Sequence, residues 1–125
     1  GSYGFNSTST QASNHWNLRR KVETHFVKGR ANIPVILDST SWTARHRNNE
    51  PPPKQEFLLS WDFCINRHNG YINCLFLDWS VRRIGLKELW TLKWDEQADT
   101  AGPWTRAGGV RPSDWPQWMR KFKDY

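Results

Sequence analysis

His68 and Asp78 are the residues whose types and spacing first suggest chemistry, because a histidine and an aspartate together can move protons. Nine residues separate them, and most of those residues favour a strand. An extended strand of that length spans roughly 33 Å, so the two cannot form a catalytic pair within it. We therefore expect structural roles. His68 orders the turn that contains Gly70, and Asp78 binds the amides of its own turn.

The other histidines and the serines fit no catalytic or metal-binding pattern. His15, His25 and His46 lie at loop-like positions without the spacing of zinc ligands, and neither Cys-x-x-Cys nor His-x-x-x-His occurs. Gly-x-Ser-x-Gly, Ser-x-x-Lys and phosphate-binding glycine loops are also absent from the sequence. The sequence therefore predicts neither an enzyme nor a zinc site.

Cys64 and Cys74 permit one disulfide at most. Their positions are symmetric about Asn69, and a hairpin in that register would place them opposite each other, with Cβ atoms ~4.5–5.5 Å apart. A disulfide needs a non-hydrogen-bonded pair, however, and two buried free thiols are a common alternative. The sequence leaves both outcomes open.

The elements that must position these residues follow from hydrophobic periodicity. Residues 71–77 alternate as a core strand, with Ile72, Cys74 and Phe76 on one face, and residues 35–37 form a short buried strand. Residues 57–66, 71–77 and 81–84 are joined by short turns and predict an antiparallel meander.

Two helices are expected after the meander. One begins near Leu86 with an aromatic stripe, and a second begins at Asp114 with a capping box completed by Gln117. The pattern therefore predicts an α+β fold, in which a small antiparallel β-meander packs against aromatic-faced helices.

The length of 125 residues indicates a single domain, and nine tryptophans, six phenylalanines and three tyrosines predict an aromatic core. Residues 1–17 read as a polar N-terminal arm, and residues 39–56, with three consecutive prolines, as an exposed loop. We expect the arm and the loop to form subunit contacts. The residues expected at these contacts are Tyr3, Phe5, Trp16 and Trp42.

The net charge of +6 raises an anionic partner as a hypothesis. The basic residues come as short pairs and triplets separated by acids, and no nucleic-acid recognition motif accompanies them. Nucleic acid is therefore expected to bind only non-specifically, with a strong dependence on salt.

The frame from His68 to Asp78 resembles the His-x9-Asp-Gly signature found near the C-terminus of many bacterial prepilin-like proteins, relatives of type IV pilins and type II secretion pseudopilins. Residues 32–42 and 86–94 resemble the strand before that signature and the helix after it. Trp79 stands where the signature has glycine, so a three-residue loop over residues 78–80, or a bulge, is expected. The resemblance implies a pilin-like globular head that acts as a structural filament subunit.

The same resemblance implies a homo-oligomer located outside the cell, at the cell surface or in the periplasm, without a small-molecule substrate. Such subunits begin with a long apolar helix that this sequence does not contain, so contact with a membrane is expected only through that missing helix. Because major pseudopilins bind calcium in a C-terminal loop, Asp95 and Asp99 become a calcium candidate. They lack the ligand pattern of an EF-hand, so a solvated acidic helix end is the plainer interpretation.

A second hypothesis comes from another class of proteins. In it, the chain is an extracellular binding module that recognises glycans or anionic polymers through exposed tryptophan and arginine side chains. The two hypotheses differ in where they place the tryptophans. A binding module needs them in one open surface, whereas a filament subunit keeps them in the core or between subunits. The tryptophans that discriminate are Trp42, Trp61, Trp79 and Trp104.

Overall fold

The computed structural model describes residues 3–6, 29–39, 43–44, 46–56 and 63–125. Five strands within these ranges form one sheet in the order β3-β1-β2-β4-β5. All neighbours pair antiparallel except β1 and β3, which form a short parallel pair. The strands are β1 (Tyr3–Asn6), β2 (Pro34–Asp38), β3 (Thr43–Ala44), β4 (Tyr71–Phe76) and β5 (Val81–Gly85).

Strand β4 lies between β2 and β5, and its alternating sequence gives it one buried face. Ile72, Cys74 and Phe76 are buried, whereas the residues between them are half-buried. The predicted strand is present with neighbours on both sides, but only one of its faces is buried, whereas the sequence predicted a strand covered on both faces. The buried face packs against an aromatic layer from the C-terminal half of the chain, and three tryptophans of that layer are at most 1% exposed. They are Trp90, Trp94 and Trp115.

Two turns of different type frame β4. Before it, Asn69 and Gly70 have φ angles of 53° and 88°, the left-handed pair that a type I′ turn requires. After it, the Trp79 amide donates to the Phe76 carbonyl at 2.9 Å, and Trp79 has a φ of 68°. The second loop is therefore residues 77–79, with Trp79 at the left-handed bulge position. The bulge was expected, but the loop begins one residue earlier than the predicted residues 78–80.

The predicted α+β class is wrong for the residues that the structure describes, which are mostly β. The longest helix in these ranges is the five-residue 3₁₀ helix Lys87–Thr91. The expected aromatic stripe is buried, but the backbone is extended at Leu92. A tertiary contact causes this extended conformation. The Asn48 side-chain amide donates to the Trp90 and Leu92 carbonyls, each at 2.9 Å. Those contacts outweigh the modest helix propensity of the segment.

The second predicted helix is also replaced by two 3₁₀ turns, Pro112–Asp114 and Gln117–Met119. Trp115 between them is extended, because a residue before proline is disfavoured in the helical region, and Pro116 follows it. Asp114 does not cap a helix that begins after it. Its carboxylate instead accepts a hydrogen bond from the Arg111 amide at 2.8 Å, three residues earlier.

The proline-rich loop is less exposed than expected where the structure describes it. His46, Asn48, Pro52 and Pro53 are buried, although their neighbours are exposed. Indole groups bind the carbonyls of this loop, so its backbone is satisfied by the core. The expectation that all of residues 39–56 lie on the surface is therefore corrected for these four residues, whereas those between them are exposed as expected.

Trp79 should be strained, because a bulky side chain in the left-handed region costs about 1–2 kcal/mol, and its side chain is 75% exposed and recovers little by packing. Trp79→Gly is expected to raise the free energy of unfolding by about 1 kcal/mol in urea titrations. Trp79→Ala is the control, because alanine keeps the Cβ that causes the strain and should leave stability nearly unchanged. Equal effects of the two variants would show that the backbone conformation is not the cause.

Candidate functional site

His68 joins the turn before β4 to strand β2. Its Nε2 lies 3.3 Å from the Asp38 carboxylate, whose side chain is 3% exposed. The same carboxylate oxygen accepts the backbone amide of Asn73 at 2.9 Å. Asp38 is thus held by two partners, while the His68 side chain remains 45% exposed. The expected role of His68 in ordering the turn is consistent with this geometry.

Asp78 forms the expected turn at the other end of the frame. Its Oδ1 accepts the Ser80 amide at 3.0 Å and the Ser80 hydroxyl at 2.5 Å. These hydrogen bonds hold the pKa of Asp78 below its usual range. His68 and Asp78 therefore have separate partners, each within or beside its own turn. The structure does not bring them together as a proton-transfer pair.

The two cysteines are free and buried in this structure. Residues 63–66 form no strand beside β4, so the hairpin that would place Cys64 opposite Cys74 is absent from the described residues. Cys74 instead pairs with Leu37 of β2 and Arg82 of β5. Burial raises the pKa of both thiols, so neither is a reactive thiolate near neutral pH.

The calcium candidates Asp95 and Asp99 line one open groove of about 370 Å³ together with Asn48 and Asn49. Each carboxylate already accepts an amide two residues ahead, at 2.8 Å from Gln97 and 3.0 Å from Ala101. Across the described part of the chain, no three His, Cys, Asp or Glu side chains are grouped to hold a metal ion. The two aspartates therefore act as turn residues in this structure.

The expected contact residues are only partly described. Tyr3 is 58% exposed at the start of β1, and the Phe5 backbone pairs with Ile36 and Thr43. Trp16 and Trp42 lie outside the described residues, as do most of the arm 1–17, residues 18–27 and residues 57–62. The described end of the predicted strand 57–66, residues 63–66, forms no strand, and β4 has β2 and β5 as its neighbours, so the predicted meander is wrong there. Among the tryptophans that discriminate the two hypotheses, Trp104 packs on Trp115 at 5.4 Å between ring centroids.

Sequence reasoning missed the C-terminal segment as a partner of the sheet. Lys87 has a fully buried side chain, and its Nζ lies 2.7 Å from the Asp124 carboxylate and 5.1 Å from the Trp115 ring centroid. The Arg106 amide donates to the Tyr125 carbonyl at 2.6 Å. The sequence did contain a signal for this contact: Lys87 lies among the apolar residues of 84–92. A lysine that is buried with such neighbours needs a buried partner of opposite charge.

Two glycines allow this segment to lie against the end of the β4–β5 hairpin. A Cβ on Gly70 would lie 2.6 Å from the Phe122 ring, and a Cβ on Gly85 would lie 2.5 Å from the Tyr125 ring. Burial raises the pKa of the Tyr125 hydroxyl. Between hairpin and segment runs a groove of about 420 Å³, which we call the C-terminal groove. It is lined by Asn69, Gly70, Tyr71, Gly85, Lys121, Phe122 and Lys123.

Comparisons with protein-family models, curated proteins and solved structures give no match to this chain. In the described ranges no helix is long and apolar enough to span a membrane. The functional argument therefore rests on the geometry of the site.

His46 makes stability depend on pH. It packs against Trp90 and Trp94, and burial lowers its pKa to about 3, against 6.5 for the ordinary side chain. The folded state thus binds fewer protons than the unfolded state between these values, so stability is full above pH 6.5 and falls as pH decreases toward 3.

The contribution of His46 should reach roughly 1.4 kcal/mol per pH unit within that window. Urea titrations from pH 7 to 4 should show a shallower decline for His46→Phe than for the wild type. His68→Gln, at a half-exposed histidine, is the control and should keep the steep decline. A His46→Phe slope equal to that of the wild type would contradict the burial of a neutral imidazole.

The Lys87–Asp124 pair should respond unequally to the loss of either partner. Asp124→Ala leaves a buried ammonium without its carboxylate and is expected to cost about 3 kcal/mol. Lys87→Met leaves a carboxylate that is one-third exposed and can hydrate, so it should cost much less. The double variant should recover most of the loss of Asp124→Ala. Chemical denaturation of the three variants measures their free energies of unfolding. Equal losses of stability from the two single substitutions would contradict a buried Lys87–Asp124 ion pair.

Proposed function

We propose that this chain is the globular part of a pilin-like filament subunit, with a structural function outside the cell or in the periplasm. The observation that carries the proposal is the structural role of the two residues that end the His68-x9-Asp78 frame. Both ends of the frame stabilise turns, and the strand between them, β4, is an interior strand of the sheet with one buried face. A signature whose polar residues stabilise a hairpin fits a building block better than a catalyst. Residues 86–94 do not form the helix that follows the signature in the resembling proteins, so the proposal rests on the His68-x9-Asp78 frame.

The placement of reactive groups supports a structural role. The Cys64 and Cys74 thiols and the His46 imidazole are buried in or beside the aromatic core, where substrates in solution do not reach them. His68, the exposed member of the frame, is already paired with Asp38. These groups contribute to packing and to the register of the strands.

The tip of the β4–β5 hairpin supports assembly between copies of the chain. Trp79, on the loop of residues 77–79, is 75% exposed, and Val81, the first residue of β5, is 70% exposed. Trp79 also occupies a left-handed position that glycine would fill with less strain. A strained and exposed tryptophan is the kind of residue that contributes strongly when buried at an interface.

The alternative of a tryptophan-lined binding module has less support. Trp79 is exposed, but Trp104 is partly buried against the main core and stacks near Trp115. Trp42 and Trp61 lie outside the described residues. The two tryptophans that can be compared therefore do not form one open surface.

The test uses the complete reading frame, including whatever is encoded before Gly1, expressed in the source cells. A basic leader followed by an apolar helix of ~20 residues is expected upstream, and the protein should appear in the filaments sheared from the cell surface. Trp79→Ala should reduce the amount of filament while the purified domain unfolds at an unchanged urea concentration. Arg47→Ala, on the rim of the groove beside Asp95, is the matched surface control and should assemble normally.

Recovery of the wild-type protein only as single subunits inside the cell would overturn the proposal. Normal filaments from Trp79→Ala would remove the hairpin tip from the assembly interface.

A further inference from the structure

Two cationic side chains, Lys121 and Lys123, line the C-terminal groove, and a third, Arg83, lies beside it over Tyr71, one of the lining residues. Arg83 lies 4.4 Å from the ring centroid of Tyr71, Lys121 lies 5.5 Å from that of Phe122, and Lys123 lies 4.9 Å from that of Tyr125. All three cationic residues are exposed. Each is thus held over an aromatic ring with its charge directed to solvent.

The carboxylates near the groove are already neutralised. Glu88 binds Arg82 at 2.6 Å and also accepts the Gly85 amide at 3.3 Å. Asp124 binds the buried Lys87. In the described ranges, no salt bridge joins any carboxylate to Arg83, Lys121 or Lys123. Lys121 and Lys123 therefore bring to the groove two positive charges without a salt-bridge partner in these ranges, and Arg83 adds a third beside it.

The groove has the size and fixed shape of a binding site. Its volume of about 420 Å³ lies within the roughly 300–1,000 Å³ typical of ligand sites. Gly70 and Gly85 leave no room for a Cβ against the rings of Phe122 and Tyr125, so these rings pack directly on the buried glycine backbone and fix the shape of the groove. Asn69 adds a side-chain amide that is exposed at the rim.

We propose that the C-terminal groove binds an acidic polysaccharide, with uronate carboxylates on Lys121, Lys123 and the neighbouring Arg83, and sugar hydroxyls on the exposed Asn69 side chain. Charge complementarity identifies an anionic ligand. A sugar polymer fits better than a nucleic acid because single-stranded nucleic acids need open aromatic faces for stacking. Here Arg83 covers the Tyr71 ring, and Phe122 is only 8% exposed. This inference stands independently of filament assembly, since it concerns the isolated domain.

The experiment measures binding of the purified chain to polygalacturonate by titration calorimetry at low and moderate salt. Dextran is the uncharged control polymer, and a single-stranded DNA of matched length is the competing anion. Binding to polygalacturonate should be measurable, weaken with salt and exceed binding to both other polymers. The double variant Lys121→Gln/Lys123→Gln should bind roughly tenfold more weakly, because two exposed ion pairs are lost.

The matched control is Arg47→Gln/Lys54→Gln, which removes the same charge from residues outside this groove and should bind within about twofold of the wild type. Circular dichroism verifies that both double variants are folded. Equal losses in the two variants would show that only net charge matters and would overturn the site. Failure to bind polygalacturonate would also overturn the proposal, as would tighter binding of DNA.

Discussion

Buried carbonyl groups in irregular backbone are the constraint on which this structure depends. Much of the described chain beyond the sheet has neither helical nor strand pairing, yet it lies against a closed core, where an unpaired carbonyl is costly. Side chains supply the missing donors. The Trp90 indole donates to the Glu50 carbonyl at 2.8 Å, and the Trp118 indole donates to the Pro53 carbonyl at 2.9 Å. Asn48 returns two hydrogen bonds to the segment that contains Trp90.

This arrangement gives a reason for the abundance of tryptophan. An indole offers a large apolar surface and one donor, so it can fill the core and bind a loop carbonyl with the same side chain. Trp94 does so within its own segment, donating to the Leu89 carbonyl at 2.8 Å. Trp115 is the exception, since its indole nitrogen is buried without an acceptor. Its ring instead contacts Trp90 and lies under the Lys87 ammonium.

The same constraint separates what the sequence could predict from what it could not. The hairpin of β4 and β5, the buried face of β4 and the turn at Asp78 follow from short-range patterns, and all are present. The helix after β5 was wrong because Asn48, about 40 residues away in sequence, uses the carbonyls of Trp90 and Leu92. The local hydrophobic pattern of the segment cannot reveal a contact with a residue so distant in sequence. The extended conformation at Trp115, in contrast, was available from the proline that follows it.

The candidate site was also predictable from the sequence only in part. His68 and Asp78 were identified from spacing, but the partner of His68, Asp38, lies on a strand 30 residues earlier. The C-terminal groove was missed because it forms only when Phe122 and Tyr125 lie over two glycines of the hairpin. Basic residues that appeared in the sequence as scattered pairs thereby converge at one place. A rigid core with its reactive groups buried leaves the hairpin tip and this groove as surfaces for contact.

Hydrogen exchange of the indole protons, followed by nuclear magnetic resonance, tests most directly whether indole donors hold the irregular backbone. The indole protons of Trp90 and Trp94 should exchange as slowly as the amides of β4, because each would require global unfolding. The indole proton of Trp79, whose side chain is 75% exposed, should exchange rapidly and serves as the internal reference. Exchange of the Trp90 and Trp94 protons at the rate of Trp79 would contradict the account.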